Sequence, residues 1–318
     1  MAMKYVLACG IFASLLLVAS EPSAGPKPRA PAKAAKPRLQ VSTRTPKPGD
    51  PVLVTVTGLG EEPSGTGGRV PLVFFPVARG WQAVFAIPLE DAPASIEVTA
   101  GGLTQTLTVR AHTFEEEAVT VAPEFAEPPA DKRKQIDADN VAVIDALRDT
   151  SPPLFRGAFR MPGQGRRTSP FGSWRTLNGG YRSRHLGLDI GARQGAPVRA
   201  VQHGKVALVH DGFLMGGTVV LIHGAGIASA YFHLTDITVA AGDVVKPGQA
   251  LGKVGMTGRT TGPHIHVGIW VPGGFIDPAV FLRLGIATPR VTTRPATKAK
   301  AKVSKPPAAG RRPGRQRR

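Results

Sequence analysis

The chain has 318 residues, 42% of them hydrophobic, with 38 Gly, 30 Pro, one Cys and a formal net charge of +18. That hydrophobic share supports a packed core, while the Gly and Pro content favours turns and short strands over long helices. A single cysteine excludes a disulfide framework and a thiolate metal site, so any metal must be held by histidines and carboxylates.

Residues 1–24 read as a secretory signal. Lys4 gives a charged start, Tyr5 to Ala19 is an apolar run too short for a comfortable membrane span, and Val18-Ala19-Ser20 supplies small residues for cleavage. Retention as an anchor is the competing reading. Cys9 lies inside this run, leaving the mature chain without cysteine. Residues 25–38 form a Pro/Ala/Lys-rich linker that cannot bury enough apolar surface to fold.

Residues 39–121 switch to short alternating runs, among them Val52 to Val56, Leu72 to Phe75, Ala83 to Ile87, Ser95 to Val98 and Leu103 to Val109. This spacing predicts a small antiparallel β-sandwich as an accessory domain. Residues 122–158 are a linker with one helix over Asp131–Arg148, stopped by Pro152-Pro153 and bridging two domains. Over 159–284 strands return with Gly-rich turns and no alternating helices, which predicts a second antiparallel β domain and a mainly all-β fold. Residues 285–318 are a basic tail expected to be disordered, with eleven Lys or Arg from Arg290 onward and no acid. The charge excess therefore describes the chain's ends and not a site.

Seven of the eight histidines fall between His185 and His266. Strand alternation gives His185, Gly187 and Asp189 one face and Leu186, Leu188 and Ile190 the other. A regular strand sets positions four apart about 13 Å from each other, so this segment must bend if both polar groups are to reach one ion. His264, His266 and Gly268 share a strand face opposite Ile265, Val267 and Ile269, which suits one metal ligand and one base. Tyr231 and His233 offer a further polar face, with Phe232 and Leu234 buried behind it. His185, Asp189 and His266 make a two-histidine, one-carboxylate set, as a catalytic zinc with one open position requires. His264 and His233 remain for proton transfer and oxyanion stabilisation. No His-Glu-x-x-His helix is present, which excludes the helical zinc peptidase plan. Lone histidines are more often structural, and His112, His203, His210 and His223 are read that way. Arg175 and Tyr231 are read with equal weight as groove residues or as a surface pair and core packing.

These segments resemble the lysostaphin-type zinc endopeptidases of bacterial cell walls. The family's His-x-x-x-Asp, Tyr-x-His-Leu-like and His-x-His motifs appear in order as His185 to Asp189, Tyr231 to Leu234 and His264 to His266. Ser169-Pro170-Phe171-Gly172, Gly195-Ala196-Pro197-Val198, Val254-Gly255 and Thr257-Gly258 also match. The chain departs from some members in having Val267-Gly268 after the last histidine, where they carry Glu or an aromatic. The resemblance implies a compact antiparallel β fold with a groove, and Zn2+ held by His185, Asp189 and His266. It further implies His264 as general base, and His233 as an aid to water orientation or oxyanion stabilisation. The implied substrate is peptidoglycan, at stem peptides or cross-bridges, and residues 39–121 resemble an accessory domain able to occlude or align the groove.

A non-catalytic wall-binding or hydrolase-activating protein of the same fold is the alternative, and a peptidase for Gly-rich protein chains a third reading. The expected location is exported, either periplasmic or secreted and wall-associated. The basic tail suits anionic wall polymers or a membrane surface. Nucleic acid is not expected, because no aromatics interleave the tail charges.

Overall fold

Short runs of β-branched and aromatic residues, punctuated by Gly and Pro, set the architecture. The computed structural model describes residues 36–290, so the expected signal segment, most of the first linker and the tail beyond Arg290 lie outside the described residues. The described chain is mainly β, as expected, with antiparallel sheets and three helices among the described residues. None of these helices is long and apolar enough to cross a membrane.

In the N-terminal half, one four-stranded sheet runs in the order Arg38–Val41, Pro51–Thr57, Gly80–Ala86, Phe75–Val77. The other runs Val70–Pro71, Gly65–Gly67, Ser95–Ala100, Leu103–Thr108. Val52, Val54, Val56 and Phe85 of the first pack on Ile96, Val98 and Leu107 of the second. The opposite face of the first sheet carries Leu53, Val84 and Ala86, which join Phe155, Phe159, Ile269 and Val271 in the core of the C-terminal half. Burial on both faces explains the nearly unbroken apolar run from Val52 to Val56. The strand expected over Leu72 to Phe75 is interrupted, because Leu72 and Phe74 turn into the sandwich core where the chain crosses between sheets.

The C-terminal half is built on a ten-stranded sheet. Its path is Arg166–Ser169, Leu188–Gly191, His264–Val271, Ile227–Thr235, Gly216–Gly224, Gly204–Gly212, Val244–Val245, antiparallel throughout. Leu188, Ile190, Ile265, Val267 and Ile269 point into the main core. Asp189, His264 and His266 therefore stand on the other face, with Asp189 in register opposite His266. A helix at Ala130–Leu147 covers part of that second face. Its Val143 and Leu147 pack on Val220, Ala228, Ala230 and Phe232. The helix expected to lie between the two β regions packs its apolar side on the large sheet. Buried Asp139 pins it by accepting from the Phe213 backbone N–H at 2.8 Å and pairing with His210 Nε2 at 2.7 Å.

His223 is one of the structural histidines. It is fully buried, with Nδ1 2.7 Å from the His203 carbonyl and Nε2 2.8 Å from Ser229 Oγ. Burial, only partly offset by the His203 carbonyl, pushes its pKa down to about 4. Above the unfolded-state value near 6.5 both states hold a neutral ring, so nothing depends on pH there. As pH falls from about 6.5 to 4 the unfolded state takes up a proton that the folded state refuses. Stability then drops by about 1.4 kcal/mol per pH unit, to a total of about 3 kcal/mol. Denaturant unfolding between pH 7 and 4 should show this extra slope in the parent and not in His223→Gln; equal slopes would remove the assignment.

Candidate metal centre

The segment from Arg182 to Gly191 is two strands with a break. Arg182–Arg184 pairs with Trp174–Leu177 in a small sheet, and Leu188–Gly191 belongs to the large one. His185, Leu186 and Gly187 form the turn between them. This is the bend the spacing demanded, and it carries the His185 ring back over Asp189. It also leaves Leu186 exposed at 41%, not in the core as alternation predicts. Gly187 is required by contact: a Cβ there would lie 2.3 Å from His266 Nε2 and 2.7 Å from the Val267 carbonyl oxygen.

Three donor atoms meet at this bend. His185 Nε2 is 3.1 Å from Asp189 Oδ1 and 3.1 Å from His266 Nδ1, and Asp189 Oδ1 is 2.9 Å from His266 Nδ1. A tetrahedral ion with bonds of about 2.1 Å sets its donors about 3.4 Å apart, so this triangle is near the required size. His185 and Asp189 are buried, at 2% and 5% exposure. The tautomers support a cation. His185 Nδ1 sits 2.7 Å from the Pro170 carbonyl, which can only accept, so that nitrogen carries the proton and Nε2 presents a lone pair. That lone pair faces a carboxylate oxygen and a second imidazole, an arrangement that a cation relieves.

His233 and His264 stand beside the triangle. The His233 and His264 rings are 5.1 Å apart, and His264 Nε2 is 3.6 Å from Asp189 Oδ1. Their Nδ1 atoms are held by the carbonyls of Thr257 and Gly262, each at 2.8 Å. Both rings therefore aim an Nε2 lone pair inward. His233 is placed by a break in alternation: its φ is +60°, in the left-handed region. As a result Tyr231 does not share its face. Tyr231 is fully buried, with its hydroxyl 3.0 Å from the Val201 amide, and it forms no part of the groove. Phe232 instead turns toward the site, with its ring 5.1 Å from that of His266.

Asp189 has a second oxygen, and Arg175 holds it. The Arg175 guanidinium pairs with Asp189 Oδ2, lies 3.2 Å from Glu117 Oε2 and donates to Ser169 Oγ at 2.9 Å. Ser169 in turn donates to Glu117 Oε1 at 2.6 Å. Glu117 comes from the strand Glu116–Val119, which lies parallel to Trp174–Leu177 and forms one wall of the cleft. Burial works against ionisation of Asp189, but its close polar contacts with the His185 and His266 rings outweigh it and hold its pKa far below the usual carboxylate range. Burial lowers His266 to about 4 despite Asp189, and lowers His233 to about 3 with help from the charges of His266 and His264. A cleft of about 300 Å³ opens here, lined among others by Glu117, Arg175, Asp189, His233, Arg259 and His264.

The family model described as "Peptidase family M23" matches residues 183–278. A crystal structure described as an M23 peptidase of Pseudomonas aeruginosa superposes with a TM-score of 0.59 at 31% identity, covering 75% of this chain and 95% of that one. The chain belongs to peptidase family M23. Among curated relatives, the DD-carboxypeptidase/endopeptidase Mpg of Neisseria meningitidis is 35% identical over 108 residues, which is 34% of this chain and 24% of that protein. The glycyl-glycine endopeptidase ALE-1 of Staphylococcus capitis is 38% identical over 94 residues, 28% of this chain and 25% of that one. This M23 chain thus aligns with about a quarter of the length of those relatives.

The matched segment contains His185, Asp189, His233, His264 and His266. Of the residues around them, Glu117, Ser169 and Arg175 lie before it. Sequence reasoning had Ser169-Pro170 only as a flanking motif and did not single out Glu117. The structure gives the motif a job, since the Pro170 carbonyl sets the tautomer of His185. The remaining histidines stay apart from the cluster: His210 meets Asp139, His203 meets Gln202, and His112 packs edge-on against Phe114.

Proposed function

We propose that this M23 chain is an exported zinc metalloendopeptidase that hydrolyses peptide bonds of peptidoglycan. His185, Asp189 and His266 are its metal ligands, and His264 and His233 its catalytic pair. The observation that carries this reading is the approach of His185 Nε2, Asp189 Oδ1 and His266 Nδ1 to within 3.1 Å of one another, on neighbouring elements of one sheet face. A zinc ion bound to such a set supplies Lewis acidity and a water acidified to a pKa of about 7.

The chain's own residues do the rest. His264, with its proton parked on Nδ1, takes a proton at Nε2 as general base and can return it to the leaving amine. Neutral His233 in the same tautomer accepts a hydrogen bond and does not donate one, which favours orienting the water over stabilising an oxyanion. Arg175 occupies Asp189 Oδ2, so Oδ1 is the oxygen that would be offered to a metal. Residues 159–284 are read as the catalytic domain, and 39–121 as an accessory domain whose last strand supplies Glu117. The basic tail is read as a contact for anionic wall polymers or a membrane surface.

Incubation of the purified chain with peptidoglycan sacculi, followed by mass analysis of released fragments, tests the reading. Peptide cross-links should be cut, a chelator should abolish the cutting, and added Zn2+ should restore it. Tight wall binding with no released fragments at any zinc concentration would favour the non-catalytic alternative.

A further inference from the structure

Arg259 is unused by the chemistry above, yet it faces the same cleft. It sits in the loop between the strands Ala250–Val254 and His264–Val271, and that loop is clamped. The Arg259 backbone N–H donates to the Leu214 carbonyl at 2.8 Å. Gly258 adopts a φ of +70°, and a Cβ on it would lie 2.5 Å from the Gly216 nitrogen. The same loop supplies the carbonyls that hold His233 and His264, so Arg259 is fixed relative to both.

The two cleft arginines differ in how they are occupied. The Arg175 guanidinium is taken up by Asp189, Glu117 and Ser169. For the Arg259 side chain, no hydrogen-bond or ion-pair partner is found among the described residues, although it is partly buried. Burial and the nearby charge of Arg175 both work against its cationic form. A half-buried cation without a counter-ion is costly in isolation and becomes favourable when an anion docks on it, and a planar guanidinium fits a carboxylate best.

We infer that Arg259 is a specificity-determining residue that binds a free substrate carboxylate beside the scissile bond. The inference rests on the peptidase reading and narrows its substrate. Where two stem peptides are joined directly through the side-chain amine of a diamino-dicarboxylic acid, the carbon bearing the scissile nitrogen also bears a free carboxylate. A glycine cross-bridge has no such group. Arg259 therefore selects direct stem-to-stem links over glycine bridges.

The test uses the zinc-loaded full chain and a cross-linked muropeptide dimer in two forms, with that carboxylate free or converted to the carboxamide. The parent should cleave the free acid about 10- to 100-fold more efficiently in kcat/KM, the range of one charged hydrogen bond. Arg259→Gln should bring the acid down to the amide's rate and leave the amide and the zinc content nearly unchanged, while Arg259→Lys should recover part of the preference. Equal losses on both substrates, or no loss on either, overturn the inference. The leaving fragment alone, which cannot be cut, is titrated calorimetrically in acid and amide forms. If the parent cleaves neither dimer but binds the acid fragment at least about tenfold more tightly, and Arg259→Gln abolishes that gap, the carboxylate subsite stands and the peptidase reading falls. No gap in binding and no cleavage sinks both.

Discussion

Asp189→Ala is expected to cost the protein its metal while leaving the β framework standing. The carboxylate is the one anion among four nitrogen donors. Its Oδ1 lies 3.1 Å from His185, 2.9 Å from His266 and 3.6 Å from His264, and its Oδ2 is held by Arg175. Without it, two neutral imidazoles remain to hold a dication beside the Arg175 charge, and neither Coulomb attraction nor ligand count suffices for a catalytic zinc site. Zinc per chain should fall from about one to below about a tenth, and cleavage by on the order of 10³-fold or more, the loss of several kcal/mol of Lewis-acid stabilisation. Zinc should raise the melting temperature of the parent and not of the variant, because only a bound ligand shifts the folding equilibrium. Metal analysis, circular dichroism and melting curves on both proteins check this. Full zinc occupancy in a folded Asp189→Ala would remove Asp189 from the ligand set. His266→Ala should behave alike, since its Nδ1 closes the same triangle.

The parts of this molecule that could be read from sequence are those governed by one strand or one helix at a time. Alternation in His264 to Val271 put His264 and His266 opposite Ile265 and Val267, and the strand is regular enough for the rule to hold. Helical spacing located the helix to within a residue at each end, because Val143 and Leu147 lie on one stripe. What alternation missed are the breaks. It assumes a continuous pleat, so it buried Leu186 and gave Tyr231 and His233 a common face. The turn at His185–Gly187 and the positive φ at His233 undo both assignments. The unbroken apolar run at Val52 to Val56 did carry the sign of a strand buried on two faces, but the second face is filled by residues more than a hundred positions downstream. Glu117 was invisible for a related reason. Its partners Ser169 and Arg175 are 52 and 58 residues away, and no local pattern marks a carboxylate that works through a neighbour.

His264→Ala is expected to separate chemistry from metal binding. The ring lies outside the donor triangle, with Nε2 3.6 Å from Asp189 Oδ1, and its other nitrogen is fixed 2.8 Å from the Gly262 carbonyl. Its removal leaves His185, Asp189 and His266 with all their mutual contacts, so zinc content should stay near one per chain. The lost function is a lone pair held at the mouth of the cleft, where the attacking water must give up a proton. General-base catalysis of this kind contributes about 10²- to 10⁴-fold, and kcat should fall by that amount while KM changes little, since the group acts in the transition state. His264→Gln should be equally slow, because an amide of similar size restores the contact with the cleft and not the basicity. A cut of only a few-fold with zinc retained would move the base to His233, whose Nε2 is presented in the same tautomer and whose ring lies 5.1 Å from that of His264. The paired measurement on His233→Ala then decides between the two rings, because only the residue that takes the proton should show the larger loss in kcat.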